Sequence, residues 1–384
     1  MGINLSHAYL NQGASLGYSI EKIESLLIES YELIKSGFPP LFSLNHLAKN
    51  SDVDFYNLRK VIQRKCTDFK YLYDIHKIPK RSGGFRFIHS PGSQIKRVQR
   101  WINECILYNS KPHWRCFSFH PGGSILDCAS IHCESKWLIK IDIERFFDSI
   151  TEKQVYEVFV ELGYKPLISF ELARICTVNH KKKIKKHYYK KWVMFNTDKG
   201  MPYKKDEIKT IGYLPQGAPT SPQLSNLVFK KHDEHIFEVA KKNDLQYTRY
   251  ADDMTFSTVK KNFSREKAVT FVKELYSYLS KYGFSPNHTK LKIVPPGAHK
   301  VVLGLNVNSN TPRLSRVFKN RVENHLRCIE KYGLESHRIH IQFNSIFALI
   351  DHIRGLINYA LQIDTNYGHK LSHRYLELLR SNGF

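Results

Sequence analysis

Apolar positions in the first part of the chain recur at helical spacing. The two sets are Ile20, Ile23, Leu26, Leu27 and Leu33, followed by Leu41, Leu44 and Leu47. Steps of three, four and seven residues place such side chains on one face of a helix. We therefore predict an N-terminal helical region over residues 1–70.

The segment from Asp74 to Ile88 has a different pattern. Apolar and basic residues flank the sequence Ser82-Gly83-Gly84. Consecutive glycines between two apolar runs favour a turn, so the pattern predicts two strands joined by a flexible basic turn. Residues 95–107 then return to helical spacing.

Apolar and polar residues alternate in the second part of the segment Trp137–Ile143. Its isoleucines occupy every second position, with Lys140 and Asp142 between them. This period predicts a strand with one buried face and with Asp142 and Lys140 on the other face. Thr151 and Gln154 then have the spacing of a capping box, which predicts that a helix follows.

Residues 164–213 interrupt this pattern with 13 Lys or Arg and 4 Asp or Glu, a local charge of 13 − 4 = +9. We interpret them as a basic insertion or a long loop. A run of lysines within it would contact phosphate without reading bases. These lysines are Lys181, Lys182, Lys183, Lys185 and Lys186.

The second half of the chain predicts a helix over residues 221–241, a hairpin over residues 247–259 and a helix from Ser264 to before Gly283. The order β-α-(insertion)-α-β-β-α-β indicates an α+β fold with a split βαβ, ferredoxin-like sheet covered by helices. Beyond Thr311 the pattern is helical and amphipathic, with basic residues such as Arg313 and Arg316.

Charge and cysteine content narrow the class of protein. The chain carries 59 Lys and Arg against 35 Asp and Glu, a formal net charge of +24. So basic a protein usually faces a polyanion, foremost nucleic acid, although ribosomal, membrane-surface and heparin-binding proteins share this property. Seven scattered cysteines do not form a disulfide framework. No secretory leader or membrane-spanning stretch is recognisable, so we expect an intracellular protein without a membrane partner.

Two adjacent acids at the tip of the predicted hairpin, in Tyr250-Ala251-Asp252-Asp253, are the strongest chemical signal. Two carboxylates repel each other unless a cation neutralises them, and an oxygen-only ligand set suits Mg²⁺. The alternative is a solvated Asp-Asp turn. A split βαβ sheet would bring Asp142 beside them, and three acids could hold two Mg²⁺ ions about 3.5–4 Å apart for nucleotidyl transfer.

Three segments, in order, resemble successive palm motifs of bacterial reverse transcriptases. They are residues 140–147 (KIDIERFF), residues 214–222 (LPQGAPTSP) and residues 250–253 (YADD). The similarity reaches the fingers at Pro79-Lys80 and residues 83–86 (GGFR), and it continues to Lys290, Gly304 and residues 355–359. The resemblance implies a right-hand polymerase that copies RNA into DNA.

The resemblance also implies roles for individual residues. Asp142, Asp252 and Asp253 would be the catalytic acids and metal ligands, with Ile143 as a further ligand position. The incoming dNTP would be held by Lys80, Arg86, Phe147, Gln216, Gly217 and Lys290. In the family, a bulky residue at the position of Phe147 clashes with a ribose 2′-OH. Arg313 and Arg316 would contact nucleic acid.

By the same resemblance we assign the fingers to residues 71–136, the palm to residues 137–310 with the insertion at 164–213, and a helical thumb to residues 311–384. Among bacterial lineages we expect the retron type, because no maturase or nuclease domain follows residue 384. Retron enzymes copy a structured non-coding RNA into a short multicopy DNA that remains joined to that RNA. They prime from an RNA 2′-OH and act in phage defence with a separate effector protein.

Two retron-associated patterns occur in altered form. Residues 128–132 (CASIH) resemble Asn-Ala-x-x-His with Cys128 in place of Asn, and residues 302–304 (VLG) resemble Val-Thr-Gly with Leu303 in place of Thr. Two other functions remain open: a template-independent DNA polymerase of the abortive-infection type, and an inactive RNA-binding scaffold. Three intact acids argue against the scaffold.

A zinc site is a further alternative, because Cys116 with His120 and Cys128 with His132 share Cys-x₃-His spacing. Structural zinc sites usually combine closely spaced cysteine pairs with closely spaced histidine pairs. We therefore favour ordinary buried cysteines and a structural histidine.

Overall fold

The computed structural model describes residues 11–64, 72–80, 83–179 and 212–384. Its helices are α1 (Ile20–Lys35), α2 (Leu44–Asn50), α3 (Phe55–Ile62), α4 (Ser93–Cys105), α5 (Ile125–Ser130), α6 (Phe146–Ser149), α7 (Glu152–Glu161), α8 (Pro166–Cys176), α9 (Ser221–Lys242), α10 (Arg265–Lys281), α11 (Arg316–His340), α12 (Ile346–Ile363) and α13 (Thr365–Ser381). Its strands are β1 (Tyr73–Pro79), β2 (Phe85–Pro91), β3 (Trp137–Glu144), β4 (Gln246–Tyr250), β5 (Asp253–Thr258), β6 (Ser285–Pro286), β7 (Lys292–Val294), β8 (Val301–Val302), β9 (Leu305–Asn306) and β10 (Arg313–Leu314).

Local signals explain where several helices begin. The Asp54 carboxylate accepts from the Asn57 amide at the start of α3, and such a cap satisfies a donor that has no partner within the helix. At the start of α7, Thr151 and Gln154 form the predicted capping box in both directions. The predicted helices over the N-terminal region and over residues 95–107 are confirmed by α1 to α3 and by α4.

The stretch interpreted as an insertion or long loop begins with a helix. Helix α8 starts at Pro166, which tolerates the first helical position because its missing N–H would have no helical partner. Ile168, Leu172 and Ile175 bury one face of it. The loop interpretation is therefore wrong for residues 166–176. Lys181, Lys182, Lys183, Lys185 and Lys186 lie outside the described residues.

The chain forms two compact units. Unit 1 comprises residues 1–121, 143–235 and 275–286, and unit 2 comprises residues 122–142, 236–274 and 287–384. Unit 1 contains the β1–β2 hairpin, in which Tyr73 pairs with Pro91 and Pro79 with Phe85. It also contains a buried ion cluster, in which Glu152 lies 2.5 Å from Arg64 and 2.6 Å from Arg174.

Unit 2 is built on an antiparallel sheet in which β5 lies between β4 and β3, and β7 pairs with β3. The β3–β5 register joins Trp137 to Thr258 at one end and Asp142 to Asp253 at the other. Ile139 and Ile141 of β3 are fully buried, as the alternating pattern predicts. The hairpin and the order of strands and helices predicted from the sequence are thus confirmed.

The helices α11, α12 and α13 share a core with β3 and β8 in unit 2. Representative members are Leu138, Val302, Leu326, Ile353 and Leu371, each no more than 2% exposed. Gly333 interrupts α11 with a backbone φ of +79°, a conformation that glycine adopts without a Cβ penalty. The amphipathic pattern beyond Thr311 predicts this helical packing correctly.

A histidine cluster within this packing makes the stability of unit 2 depend on pH. His325 Nδ1 lies 3.0 Å from His337 Nε2, and the His325 ring packs against His352. Burial, together with the neighbouring His337, His352 and Arg321, lowers the pKa of His325 to about 4. A lowered histidine pKa favours the neutral ring in the folded state, so its contribution is present above pH 6.5 and is lost as the pH falls toward 4.

We therefore expect His325→Gln to flatten the loss of stability between pH 6.5 and 4. The expected difference from wild type is about 1–2 kcal/mol, because partial exposure screens part of the interaction. Denaturant unfolding at a series of pH values measures it, with His369→Gln on the exposed surface of α13 as the control. Parallel pH curves for wild type and His325→Gln would exclude His325 as the group responsible.

Candidate active site

Asp142 projects from a strand whose position is fixed by its neighbours. β3 pairs with β5 on one side and with β7 on the other, and its inward side chains are fully buried. The carbonyl oxygen of Asp142 accepts a hydrogen bond from the amide of Asn287 at 2.8 Å. The carboxylate therefore starts from a backbone with little freedom to move.

The second and third acids lie at the tip of the β4–β5 hairpin. Tyr250 pairs with Asp253, so Ala251 and Asp252 form a two-residue turn. Ala251 has a φ of +56°, an unfavourable region for a residue with a Cβ, and such outliers concentrate at functional sites. The buried Arg249 guanidinium donates to the Ala251 carbonyl at 3.0 Å and supports this conformation.

The sheet register brings the three acids together. Asp142 and Asp253 are paired positions on β3 and β5, and Asp252 precedes Asp253 directly. Burial raises the pKa of Asp252, and the charge of Asp142 raises it further. Burial also raises the pKa of Asp253, although the ammonium of Lys140 opposes that shift. Both pKa values are raised because the carboxylates are partly removed from water and lie close to one another.

Two lysines offset this charge. Lys290 Nζ lies 2.7 Å from Asp142 Oδ2, and Lys140 Nζ lies 3.0 Å from Asp253 Oδ2. Among the described residues, no three His, Cys, Asp or Glu side chains are gathered as ligands of one metal ion. Asp142 and Asp253 instead face ammonium groups, which a bound cation would have to replace.

The donor set itself fits Mg²⁺. It consists of carboxylate oxygens, the ligands that this hard cation prefers, and it carries a surplus of negative charge that is only partly balanced. The interpretation based on the sequence assigned Lys290 to the nucleotide and no role to Lys140. The signal for Lys140 was present in the alternation of β3, which places it on the face that carries Asp142.

A buried hydrogen-bond network lies behind the hairpin. His132 is fully buried, and its two ring nitrogens lie 2.7 Å from Ser257 Oγ and from Thr248 Oγ1. The thiol of Cys128 also contacts Thr248 Oγ1, at 3.3 Å. The altered pattern at residues 128–132 therefore joins α5 to the strands that carry the acids.

This network confirms the interpretation of His132 as a structural histidine. His120 likewise contacts the backbone carbonyls of Cys116 and Pro121 rather than a thiol. No disulfide joins any of the six cysteines within the described ranges. Neither Cys-x₃-His pair belongs to a cluster of metal ligands in the part of the chain that the structure describes.

Two of the nucleotide-binding residues predicted in unit 1, Lys80 and Arg86, belong to the β1–β2 hairpin region. Lys80 follows β1, and Arg86 lies on β2, where it pairs with Ile78; both side chains are exposed. The Lys80 amide donates to the Gly84 carbonyl at 3.0 Å, so the two segments remain hydrogen-bonded beyond the last paired residues of the strands. The hairpin thus presents two cations to solvent.

Gln216 and Gly217 are fixed against the second strand of this hairpin. The carbonyl of Gln216 accepts from the His89 amide at 2.7 Å. Gly217 has a φ of +113°, and a Cβ there would lie 2.7 Å from Ile88 Cγ2 and 2.9 Å from the His89 carbonyl oxygen. Only glycine fits this turn without strain.

Two adjacent aromatic residues of unit 1 have different environments. Phe146 is 2% exposed and packs against Phe229 and Phe284. Phe147 is half-buried and contacts Phe146 and Phe119 with ring centroids at 5.8 and 6.3 Å. The core role therefore belongs to Phe146, which leaves Phe147 available for contact with a ligand.

The remaining predicted residues have simpler surroundings. Ile143 follows Asp142 on β3 and has a buried side chain. Because that side chain is a hydrocarbon without ligand atoms, only the backbone carbonyl could bind a metal. Arg313 on β10 and Arg316 at the start of α11 are exposed. No helix of the described chain is long and apolar enough to span a membrane.

The chain is similar in sequence to known proteins over most of its length. The family described as "Reverse transcriptase (RNA-dependent DNA polymerase)" matches residues 78–307, which include all three acids. The chain is 30% identical to the Retron Ec86 reverse transcriptase of Escherichia coli, over 91% of this chain and 92% of that protein. It is 26% identical to the Retron Mx65 reverse transcriptase of Myxococcus xanthus, over 94% of this chain and 78% of that protein.

Among solved structures, a telomerase from Candida albicans in complex with a telomeric RNA fragment is similar over 82% of this chain and 57% of its own chain. The sequence identity is 14% and the TM-score is 0.38.

Proposed function

The chain belongs to the reverse transcriptase family, as an RNA-directed DNA polymerase of the retron type, and we propose that it copies a dedicated structured RNA into a short DNA joined to that RNA. The observation that carries the catalytic part of the proposal is the register of β3 and β5. It pairs Asp142 with Asp253 and leaves Asp252 in the adjacent turn. An inactive scaffold has no need for three acids on one rigid sheet edge.

The residues of this chain have distinct tasks in the proposed reaction. Asp142, Asp252 and Asp253, with the Ile143 carbonyl, would hold two Mg²⁺ ions. When bound, the ions activate the attacking hydroxyl and neutralise the leaving pyrophosphate. Lys140 balances the charge of Asp253 at 3.0 Å, so the acids can remain close together before a cation binds.

Nucleotide positioning is assigned to side chains outside the acid cluster. The exposed Lys80 and Arg86 would bind the triphosphate, and cationic side chains suit phosphate oxygens. The turn at Gln216 and Gly217 would line the nucleotide and template pocket. Phe147 would exclude the ribose 2′-OH and so favour dNTPs. Lys290, which lies 2.7 Å from Asp142 within unit 2, is also assigned to nucleotide binding.

The domain boundaries of the chain are also assigned by the resemblance to reverse transcriptases. We propose fingers at residues 71–136, a palm at residues 137–310 and a thumb at residues 311–384. The exposed Arg313 and Arg316 would then contact the nucleic acid that the thumb holds. The partners are a structured non-coding RNA, its DNA product, dNTPs and a separate effector protein in phage defence.

Nucleic acid that copurifies with the protein tests the retron part of the proposal. We expect one dominant RNA whose 2′-OH is joined to a short DNA. Sequencing before and after debranching of the 2′–5′ linkage should give a DNA complementary to part of that RNA. A mixture of unrelated cellular RNAs without attached DNA would contradict this assignment while leaving the polymerase assignment standing.

The net charge of +24 leads us to expect that binding to nucleic acid weakens steeply between about 50 and 200 mM salt. Neutral replacement of Lys181, Lys182, Lys183, Lys185 and Lys186 should reduce the slope of log K against log salt. The reduction should be about 0.7–0.9 for each lysine that contacts a phosphate. Replacing Lys231 and Lys260, which lie outside the insertion and are paired with Glu161 and Asp244, provides the control. An equal slope in both variants would exclude the insertion from the binding surface.

A further inference from the structure

A pocket lies at the end of the unit 2 sheet that is opposite to the acids. Lys136, Trp137, Lys261, Lys300 and Asn308 contribute to its lining, and its volume is about 430 Å³. This volume is within the range of small-molecule sites. Trp137 precedes Asp142 by five positions on β3, a distance of roughly 17 Å along the strand. The pocket is therefore separate from the catalytic site.

The pocket has an unbalanced positive charge. In the described part of the chain, no carboxylate lies within 4 Å of the ammonium groups of Lys136, Lys261 or Lys300. The neighbouring Lys260, by contrast, is paired with Asp244 at 3.8 Å. Three unpaired cations around one cavity favour an anionic occupant.

Lys300 is the most unusual of the three lysines. Its residue is 2% exposed, and its ammonium donates to the Ala298 carbonyl at 3.2 Å. An ammonium has three donors, so this single bond leaves capacity for further acceptors. Burial lowers the pKa of Lys300, which reflects the cost of a desolvated charge. An anion in the pocket would offset that cost.

Asn308 fixes the loop that carries Lys300. Its side-chain oxygen accepts from the Lys300 amide at 2.8 Å, and its side-chain nitrogen donates to the Ala298 carbonyl at 3.2 Å. The Asn308 amide in turn donates to Asn306 at 2.9 Å. The lysine is thus held by a defined network, as expected of a preformed site.

Trp137 adds an aromatic surface to the cations. The residue is half-buried, and its ring contacts Phe263 edge-on, with centroids at 6.0 Å. A ring beside ammonium groups matches the two parts of a nucleotide, since bases stack on aromatic side chains and phosphates pair with cations. Inorganic anions would use only the lysines.

We propose that this pocket binds a nucleotide unit, with its phosphate on Lys136, Lys261 and Lys300 and its base against Trp137. The unit comes from a single-stranded segment of bound RNA or from a free nucleotide. Either source uses the same chemistry. The site acts as a second nucleic-acid contact at a distance from nucleotidyl transfer, so it does not depend on the retron assignment.

The test compares two double variants of the full chain. Lys136→Gln with Lys261→Gln removes two cations of the pocket, and Lys231→Gln with Lys260→Gln removes two exposed lysines that are already paired. Binding of a labelled 12-nucleotide single-stranded RNA is measured between 50 and 200 mM salt. The pocket variant should bind about tenfold more weakly at low salt, with a slope smaller by about 1.4, and the control should change less than twofold.

Two further measurements identify the source of the nucleotide. RNA that contains 5-iodouridine should crosslink to Trp137 on irradiation if an RNA segment occupies the pocket. Calorimetry with AMP detects a free nucleotide, and its heat should disappear in the pocket variant. Primer extension on a short template should remain at the wild-type rate in both variants, which separates this proposal from the polymerase assignment.

The RNA-binding, crosslinking and calorimetry results together show whether the pocket binds a nucleotide. An RNA crosslink at Trp137 or AMP binding lost in the pocket variant supports it and names the source. Equal RNA affinity in both double variants, without a crosslink and without AMP binding, would overturn it. Lys300→Met serves as a third variant if its thermal melt matches wild type. If it does not, the double variant Lys136→Gln with Lys261→Gln, which leaves the buried Lys300 in place, keeps the test decisive.

Discussion

Asp252→Asn should abolish DNA synthesis and leave the protein folded. The substitution keeps the shape of the side chain but removes the charge of a carboxylate that we propose as a metal ligand at the hairpin tip. We expect kcat to fall by roughly 10³-fold or more, which corresponds to about 4 kcal/mol of lost transition-state stabilisation. Primer extension with a thermal melt measures both properties. The melting temperature should not fall, because burial and the charge of Asp142 already raise the pKa of Asp252 and so disfavour its charged form.

The matched control is Asp244→Asn. This residue precedes the same hairpin, and its carboxylate is exposed and paired only loosely with Lys260. An acid-to-amide change there should leave extension within about twofold of wild type, since surface pairs contribute little. Near-normal extension by a folded Asp252→Asn protein would remove this turn from the catalytic centre.

Phe147→Ala should let the enzyme accept rNTPs. If the ring occupies the space of a ribose 2′-OH, its removal lowers the barrier for rNTPs far more than it affects dNTPs. The ratio of kcat/KM for dNTP to that for rNTP should fall by at least about 100-fold, or about 2.7 kcal/mol of discrimination. Single-nucleotide incorporation with each substrate measures this ratio.

Phe146→Ala is the matched comparison, because the two phenylalanines are adjacent but differ in burial. Phe146 is 2% exposed between Phe229 and Phe284, so its truncation should cost about 3–5 kcal/mol of stability. Its loss should affect both substrates alike. If folded Phe147→Ala retains the wild-type ratio of the two kcat/KM values, Phe147 is a packing residue and the gate assignment is wrong.

Much of the sheet around the acids could be predicted because its signals are local. The alternation around Asp142 requires one buried face, and Ile139 and Ile141 are indeed fully buried. The capping box at Thr151 fixes the start of α7 through contacts over three residues. The local structure that such patterns predict is present in the folded protein because the tertiary contacts favour the same structure.

Contacts between residues that are far apart in the sequence could not be predicted from the pattern of apolar and polar positions. Lys290 and Asp142 are 148 positions apart, and no spacing rule pairs them. The same holds for His132 and Ser257, which are 125 positions apart. Helix α8 was missed for another reason: the lysine run after it dominated the composition of the segment and masked the apolar face of Ile168, Leu172 and Ile175.

The central claim is that this chain makes DNA on an RNA template, and one reaction tests it most directly. Purified protein is incubated with Mg²⁺, four dNTPs and a primed RNA of defined sequence, and the product is sequenced. We expect DNA complementary to the added RNA, and none when the RNA or the Mg²⁺ is omitted. DNA of unrelated sequence that forms equally well without the RNA would contradict the claim and indicate a template-independent polymerase.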